Sequence, residues 1–229
     1  MSIAENVGIV REKMAEASRG DPTRKIWLVA ATKMNGAAAV REAVAAGVDA
    51  CGENRMQEFL EKDAQGAYEG APKHFIGHLQ RNKVNKLVGK ADLIQSVDSE
   101  ELLALIDRAA ARLGVVQDVL IEVGIAGEAQ KSGVAPENLP ALLDAAAACP
   151  ALRVRGLMCV PPIQERPGDN RRYFAAMRKL FVDNSNKKCP NISMDFLSMG
   201  MTDDYPDAIA EGANMIRVGT GIFGARHYV

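Results

Sequence analysis

The stretch WLVAATKMNGAAAVREAVAAG, residues 27–47, joins an apolar run to a segment with helical spacing. The run WLVAA is typical of a buried strand, and it stops at Thr32 and Lys33. Alanine and valine then recur at helical spacing up to Gly47, a residue typical of a helix end. This order predicts one strand–loop–helix unit, with Lys33 at the end of its strand.

The same order recurs along the whole chain. Apolar runs that predict strands occupy residues 27–33, 48–54, 74–79, 91–97, 115–125, 152–160, 192–200 and 215–224. Helical spacing separates each run from the next, and residues 1–20 predict an amphipathic helix in front. In the helix predicted over residues 99–114, Asp98 and Glu101 fit an N-terminal capping pair. Because strands and helices alternate, the sequence predicts an α/β fold: a single (β/α)8 barrel domain over residues 1–229.

An open, doubly wound sheet is the alternative architecture, and a nucleotide-binding GxGxxG motif would favour it. Such a motif occurs as Gly219, Gly221 and Gly224 in GTGIFG. It lies too near the end of the chain to open the βαβ unit that a dinucleotide site needs. The barrel is therefore the favoured prediction.

The composition is typical of a globular protein with a sizeable core, since 48% of residues are hydrophobic and 25% are charged. A net charge of -1 gives no general attraction to nucleic acid or to an anionic membrane. No apolar run reaches the length of a membrane span, and the acidic N-terminal segment does not resemble a signal peptide. The four cysteines form no CxxC pair, so the sequence predicts a cytoplasmic protein with reduced thiols and no metal site.

Polar side chains stand where the predicted strands end, which is where (β/α)8 barrels carry their functional groups. These positions are Lys33, Glu53, Asn54, His78, Glu122, Met158, Ser198 and Arg217, with Met158 the one apolar member. A desolvated lysine in a barrel mouth forms a Schiff base with a carbonyl compound. A solvated lysine at the start of a loop is the alternative interpretation of Lys33.

Two clusters of glycine and hydroxyl residues follow the last two predicted strands. LSMGMTDDYPDA and RVGTGIFG carry Ser198, Gly200, Thr202, Arg217, Gly219 and Thr220. Glycines allow backbone amides to converge on an anion, and these two loops are the frequent phosphate site of such barrels. Tight turns and helix caps are the alternative explanation for either cluster alone. A Schiff-base lysine together with a phosphate site predicts pyridoxal 5′-phosphate (PLP) as cofactor.

The motifs ATKMN, CGENRMQEF, HFIGHLQRNK, GLM, LSMGMTDDYPDAI and IRVGTGIFG resemble the YggS/PROSC family, the pyridoxal phosphate homeostasis proteins, in order and over nearly the whole chain. The resemblance implies a barrel like the N-terminal domain of alanine racemases, a fold-type III PLP-binding barrel, with PLP bound as a Schiff base on Lys33. It implies that Asn54 lies near the ring and that Met158 lines the pocket. It also implies phosphate contacts from Ser198, Gly200, Arg217, Gly219 and Thr220.

The chain departs from the family pattern at two places. Arg55 follows the GEN motif where the family usually has tyrosine, and Gly124 stands where the family often has asparagine. IAGEAQKSG resembles the family's fifth-strand loop through Glu128, Lys131 and Gly133. The polar cluster of residues 78–83, HLQRNK, is interpreted either as an anion or partner site at the rim or as a solvated helix start.

Three functions fit these residues. The first is a protein without robust catalysis that holds or buffers PLP or delivers it to apo-enzymes that need it. The second is a PLP-dependent amino-acid racemase of weak activity, which needs a second acid/base group opposite Lys33. The third is a Schiff-base aldolase, although such barrels carry their lysine on a later strand. The second racemase domain is not expected here, so the carrier is favoured, as a monomer or weak dimer that binds neither nucleic acid nor membrane.

Overall fold

A computed structural model describes residues 1–18, 24–127, 132–187 and 189–224. Eight parallel strands pair in chain order and close into a barrel, because β1 pairs with both β2 and β8. The strands are β1 (Trp27–Ala31), β2 (Ala50–Glu53), β3 (Lys73–Phe75), β4 (Leu93–Val97), β5 (Gln117–Glu122), β6 (Leu152–Met158), β7 (Ile192–Ser198) and β8 (Met215–Val218). The predicted (β/α)8 barrel with an extra N-terminal helix is confirmed.

The helices alternate with the strands. They are α1 (Ile3–Ala17), α2 (Ala37–Ala45), α3 (Met56–Ala64), α4 (Val84–Leu87), α5 (Glu100–Leu113), α6 (Leu139–Ala147), α7 (Arg171–Asn184), α8 (Tyr205–Ala210) and α9 (Thr220–Phe223). Short 3-10 turns over Arg81–Lys83 and Pro136–Asn138 lead into α4 and α6. None of the helices in the described part of the chain is long and apolar enough to cross a membrane.

The N-terminal helix α1 completes the outer ring of helices. Ser2 and Glu5 form a capping box, in which the Glu5 amide donates to the Ser2 hydroxyl at 3.2 Å and the Ser2 amide donates to the Glu5 carboxylate at 2.7 Å. The helix packs against α2, α8 and α9, and the Asn6 side chain donates to the Ile222 carbonyl at 2.8 Å. Since α9 has only one turn, α1 covers the barrel where a longer last helix would otherwise lie.

All eight strands are shorter than their predicted runs, and β3 and β8 end furthest before the predicted last residue. The strand predicted over residues 74–79 ends at Phe75, because Gly77 turns against the end of β2: a Cβ atom there would lie 2.2 Å from the Asn54 carbonyl oxygen. The strand predicted over residues 215–224 ends at Val218, and α9 follows, because the backbone of Gly219 breaks the extended conformation at φ -108°, ψ -83°.

The predicted capping pair of α5 is wrong. The helix begins after Ser99, which makes no side-chain cap hydrogen bond, so Asp98 does not cap it. Glu101 instead forms an exposed ion pair with Arg81 at 2.9 Å, which ties the start of α5 to the loop that leads into α4.

The interior of the barrel is a packed apolar layer and not a pore. Side chains from six strands share it: Val29, Ala50, Leu93, Leu120, Met158 and Met215 are buried there, with Trp27 and Phe196 packed against them. A second, larger apolar cluster fills the space between the strands and the helices. The inner layer closes the barrel from below, so any site in the mouth is a shallow one above Met158.

Gly156 allows β6 and β7 to approach closely. Its φ is +139°, and a Cβ atom would lie 2.0 Å from the Phe196 carbonyl oxygen. We expect Gly156→Ala to lower the free energy of unfolding by about 3 kcal/mol or more, because strain and overpacking add. Urea unfolding followed by circular dichroism measures this loss.

The matched control is Gly168→Ala. Gly168 also has a positive φ, +90°, but a Cβ atom there meets nothing within 4 Å. The free energy of unfolding of this control should therefore fall by about 1 kcal/mol, the contribution of the backbone conformation alone. Equal losses for the two variants would show that the approach of β6 to β7 does not constrain the barrel.

Candidate functional site

Lys33 lies two residues beyond the end of β1, at the mouth of the barrel, and is half-buried. The ladder to β2 continues past the strand end, since the Thr32 amide donates to the Gly52 carbonyl at 2.8 Å. Val29 belongs to the inner layer, and side chains alternate along a strand. The register therefore favours an inward direction for Lys33, which shares the face of Val29 and Ala31.

A buried ionic cluster lies beneath the lysine. The Lys62 amine of α3 contacts Glu53 at the end of β2 at 2.5 Å and Glu58 at 3.1 Å. Lys62 also donates to the Thr32 carbonyl at 2.7 Å. Sequence reasoning missed Lys62, although its spacing of four residues from Glu58 on one helix was a signal for the second of these pairs.

Asn54, which directly follows β2, carries a buried polar atom that has no partner among the described residues. Its backbone amide donates to the Glu53 carboxylate at 2.8 Å, but its side-chain oxygen Oδ1 is buried and has no hydrogen-bond partner in the described part of the chain. A buried acceptor without a donor destabilises a protein by about 1–3 kcal/mol. A ligand that carries a donor would satisfy this atom.

A chain of hydrogen bonds crosses the barrel above the apolar layer. The Arg217 guanidinium donates from Nη1 to the Ser198 hydroxyl at 2.6 Å and from Nη2 to the Cys159 carbonyl at 2.8 Å. Ser198 donates to the Gln95 side-chain oxygen at 2.7 Å, and Gln95 Nε2 lies 3.0 Å from His74 Nδ1. The chain joins β3, β4, β7 and β8, and sequence reasoning missed Gln95 and His74 because each sits in an otherwise apolar run.

The positive charge of Arg217 is not neutralised by any other member of this chain of hydrogen bonds. Burial lowers the pKa of His74 to about 4, so the ring is neutral at pH 7 and Nδ1 accepts from Gln95. Burial also lowers the pKa of Arg217 and raises the pKa of Glu122, which hydrogen-bonds Ser132. Among the described residues, no carboxylate lies within ion-pair distance of Arg217. A buried cation of this kind favours an anionic or electron-rich ligand nearby.

The loops after β7 and β8 meet at the mouth. Gly200 accepts from the Arg217 amide at 3.0 Å, and the Thr220 hydroxyl lies 3.2 Å from that of Thr202. The Gly221 amide donates to the Thr202 hydroxyl at 3.3 Å. Gly200 has a φ of +92°, and a Cβ atom there would lie 2.6 Å from the Ala208 Cβ. The two clusters that the sequence singled out therefore form one concave surface.

Backbone donors line this surface. The amides of Gly200, Gly219 and Thr220 find no acceptor in the described part of the chain. Gly219 lies against β1, since a Cβ atom there would come within 3.5 Å of both the Ala31 Cβ and its carbonyl oxygen. The surface and the lysine strand are thus direct neighbours. We call the loops that carry Gly200, Thr202, Gly219 and Thr220 the amide cup.

Other predicted site residues lie apart from the cup. Met158 is fully buried in the inner layer, under the mouth. Residues 78–83 line grooves outside the barrel, and one groove, of about 500 Å³, also includes Asn54, Arg55 and Lys86. His78 is exposed. The rim cluster shares this groove with Asn54, and His78 also lies close enough to Glu122, at the end of β5, to act on its pKa.

The loop after β5 is described only in part. A bridge joins Val123 to Val134, and Gly133 packs against the backbone of Gly124. Glu128 and Lys131 lie outside the described residues. Gly133 has no room for a side chain, because a Cβ atom there would lie 2.4 Å from the Gly124 amide nitrogen. A Cβ atom at Gly124 would lie 3.2 Å from the Gly133 carbonyl oxygen, which is also a tight contact.

The described residues contain no group of three or more histidine, cysteine, aspartate or glutamate side chains that could hold a metal ion. Cys51 and Cys159 are buried, and burial raises the pKa of each thiol to about 12. Both thiols are therefore protonated at neutral pH. Lys33 is then the nucleophile that the geometry brings nearest to the amide cup.

The chain is similar to known proteins over almost its full length. Residues 2–227 match the family model of the alanine racemase N-terminal domain. The pyridoxal phosphate homeostasis protein of Aquifex aeolicus is 40% identical over 232 residues, covering 100% of both chains. That of Pseudomonas aeruginosa is 42% identical, covering 99% of this chain and 97% of the relative. PipY of Synechococcus elongatus, solved with PLP bound, is 36% identical with a TM-score of 0.84, covering 97% of this chain and 100% of PipY.

The depressed pKa of His74 predicts a loss of stability in acid. Between pH 6.5 and about pH 4 the unfolded chain binds a proton that the folded protein does not, so stability falls as the pH falls. We expect a loss of about 2 kcal/mol between pH 7 and pH 5 from this residue. Urea unfolding of the wild type and of His74→Gln at both pH values measures it.

The buried Glu122, whose raised pKa acts in the opposite direction, is present in both proteins and cancels in the comparison. The His74→Gln variant should therefore lose less stability than the wild type on acidification. An equal loss in the two proteins would contradict the neutral state of His74.

Proposed function

We propose that this chain, which belongs to the family of pyridoxal phosphate homeostasis proteins and to that of the alanine racemase N-terminal domain, binds PLP at the mouth of its barrel and holds it for other proteins. The observation that carries the proposal is the pairing of β1 with β8. It brings the strand that ends in Lys33 into contact with Gly219 of the amide cup. A small ring that carries an aldehyde and a phosphate can contact Lys33 with the first group and the amide cup with the second.

The residues at the mouth fit this cofactor. The backbone amides of the cup and the hydroxyls of Thr202 and Thr220 suit a phosphate group, which binds best to converging N–H donors. The unsatisfied Oδ1 of Asn54 suits a donor at the edge of the ring. Asn54 follows β2, which pairs with β1, and the cup follows β7 and β8, so the two groups stand on either side of the strand that leads to Lys33.

When bound, PLP supplies an aldehyde that reacts with the Lys33 amine to give a Schiff base and water. Lys33 supplies the nucleophile and the covalent anchor. Ser198 and Arg217 add polarity and positive charge under the ring and phosphate, and Arg217 is held in place by Ser198 and by the Cys159 carbonyl. Met158 closes the floor of the site.

Holding and delivery fit the mouth better than turnover. Thr220 is exposed and Lys33 is only half-buried, so a ligand that meets both remains near solvent. Control of a carbanion needs exclusion of competing reactions, which an open mouth does not favour. The names of the curated relatives support the same role. The recipients we propose are apo-enzymes that require PLP, met in the cytoplasm by a monomer or weak dimer.

A racemase is the second candidate, because the matching family model is that of alanine racemase. Racemisation needs an acid/base group on each face of the substrate carbon. Lys33 is a candidate for one face. The two functions differ in what the loaded protein does with an amino acid, and this difference can be measured.

The covalent anchor is tested by reduction of the loaded protein with borohydride. We expect peptide mass mapping to find the pyridoxyl label on Lys33, because this amine adjoins the amide cup. Lys33→Ala should lose the visible absorption of the loaded protein, whereas Lys83→Ala, which changes a lysine of the outer groove, should keep it. A label found mainly on another lysine would contradict the proposed site.

The carrier is tested against the racemase with one loaded sample. An apo-enzyme that requires PLP receives the loaded protein as its only cofactor source, and we expect its activity to return. The same sample is incubated with alanine and other amino acids in deuterated water, where we expect at most slow exchange of the α-proton and little inversion. Chiral chromatography measures the inversion, and mass spectrometry measures the exchange of the α-proton. Fast inversion of one amino acid, lost in Lys33→Ala, would favour the racemase.

A further inference from the structure

The buried ionic cluster of Lys62, Glu53 and Glu58 contacts the backbone around the proposed binding site. The Lys62 side chain is 7% exposed, that of Glu53 is fully buried, and that of Glu58 is 20% exposed. One ammonium thus faces two carboxylates in a site with little water. Separating any one of these side chains from the others would leave a buried charge uncompensated, which is costly. The three side chains therefore hold one another firmly in place.

On the near side of Lys33, the cluster holds Thr32. The Lys62 amine donates to the Thr32 carbonyl at 2.7 Å, and the Thr32 hydroxyl donates to Glu53 Oε2 at 2.9 Å. The same Glu53 oxygen accepts from Lys62. The carbonyl and the hydroxyl of the residue before Lys33 are therefore both held by one ion pair.

On the far side of Lys33, the cluster holds Met34. The Met34 amide donates to Glu58 Oε2 at 2.7 Å, and this oxygen also accepts from Lys62 at 3.1 Å. Met34 has a φ of 63°, the left-handed conformation that side chains other than glycine rarely adopt. Burial does not explain this conformation, since Met34 is 47% exposed. Met34 is the third residue of a turn that the Asn35 amide closes by donating to the Thr32 carbonyl at 3.1 Å, and the hydrogen bond to Glu58 holds the Met34 amide in that turn.

The second oxygen of Glu53 extends the cluster to β2. Glu53 Oε1 accepts from the Asn54 amide at 2.8 Å. The main-chain groups that the cluster binds therefore belong to Thr32, Met34 and Asn54, which are the neighbours of Lys33 and the proposed ring contact itself.

An ion pair that only joins a helix to the barrel looks different. Lys73 and Asp63 form such a pair at 2.8 Å, also between α3 and the barrel wall, with side chains 26% and 28% exposed. It joins two side chains, and its Lys73 amine contacts no backbone group near Lys33. This pair is a control from the same region of the molecule.

We propose that Lys62 is a positioning residue, which with Glu53 and Glu58 fixes residues 32–34 so that the Lys33 amine meets the aldehyde of the bound cofactor. The inference rests on the proposed function. Lys62 acts on the bond between Lys33 Nζ and the aldehyde carbon, which forms with loss of water. Its hydrogen bonds go to Thr32, Glu53 and Glu58 and not to the amide cup, so the phosphate contacts stay unchanged. Glu53→Gln keeps an oxygen that accepts from the Asn54 amide, which preserves the proposed ring contact. Loss of Lys62 should weaken the binding of an aldehyde selectively.

The experiment compares two ligands that differ only in the aldehyde, PLP and 4′-deoxypyridoxine 5′-phosphate. Lys62→Met alone would leave two buried carboxylates without a cation, so the principal variant is Lys62→Met with Glu53→Gln, in which both partners are neutral. We expect its dissociation constant for PLP to rise by about tenfold or more, because a misplaced nucleophile loses its effective concentration. The constant for the deoxy compound should change by less than about threefold.

A second variant tests the same idea from the more exposed side. Glu58→Ala removes the acceptor of the Met34 amide and should show the same selective loss, even where the double variant does not fold. Glu61→Ala is its matched control on α3, because Glu61 is exposed and contacts Gln57. Lys73→Met is the control for the double variant. Both controls should bind the two ligands as the wild type does.

The visible absorption of the Schiff base separates the possible failures. A wild type that binds PLP without this absorption would overturn the proposed function and the inference with it. A wild type with the absorption, and variants that keep the wild-type constant for PLP, would overturn the inference alone. Equal losses for both ligands would assign the cluster a purely structural role.

Discussion

Closure of the barrel through the pairing of β1 with β8 is the constraint on which the proposed site depends. Trp27 pairs with Met215 and Ala30 with Val218, so the ends of the first and last strands are neighbours although almost two hundred positions separate them in the chain. The amide cup needs β7 and β8 side by side, and the lysine needs β1 beside the cup. The second condition is met only where the last strand pairs with the first, so the complete site requires the closed sheet.

The layering of the barrel interior decides the chemistry above it. Below the mouth the side chains are apolar and closely packed, which excludes water and keeps His74 neutral. Above them Gln95, Ser198 and Arg217 form a chain in which every contact runs in one direction, from donor to acceptor. The guanidinium is held by neutral partners, and its positive charge is therefore directed toward whatever occupies the mouth. The same burial raises the pKa of the Cys159 thiol to about 12 and keeps it protonated, which agrees with our proposal that the amine of Lys33 is the nucleophile.

Much of the fold could be predicted from local patterns in the sequence. Alternation of apolar runs and helical spacing predicted eight strands, their order and the closed barrel, because buried strands and amphipathic helices each have their own periodicity. The glycine and hydroxyl clusters were predicted at the right loops, and the structure brings them together. The errors lie at element ends. Residues 76–79 and 220–223 are apolar enough for strands, yet Gly77 must turn against β2 and Gly219 must begin α9. Such close approaches between distant backbones leave no periodic signal.

The sequence by itself determined the architecture, the residues at the strand ends and the two loops of the cup, since each follows from short-range pattern and from which end of a parallel strand faces the mouth. Tertiary structure alone decided what holds those residues. Lys62 reads as a helix-surface lysine paired with Glu58, and only the packing of α3 against β1 and β2 buries it beneath Thr32 and beside Glu53. Gln95 and His74 read as interruptions of apolar strands, and only the closed barrel turns both inward to meet Ser198. The reason is physical: hydrogen bonds and ion pairs depend on distances between strands, which the periodicity of one strand does not contain.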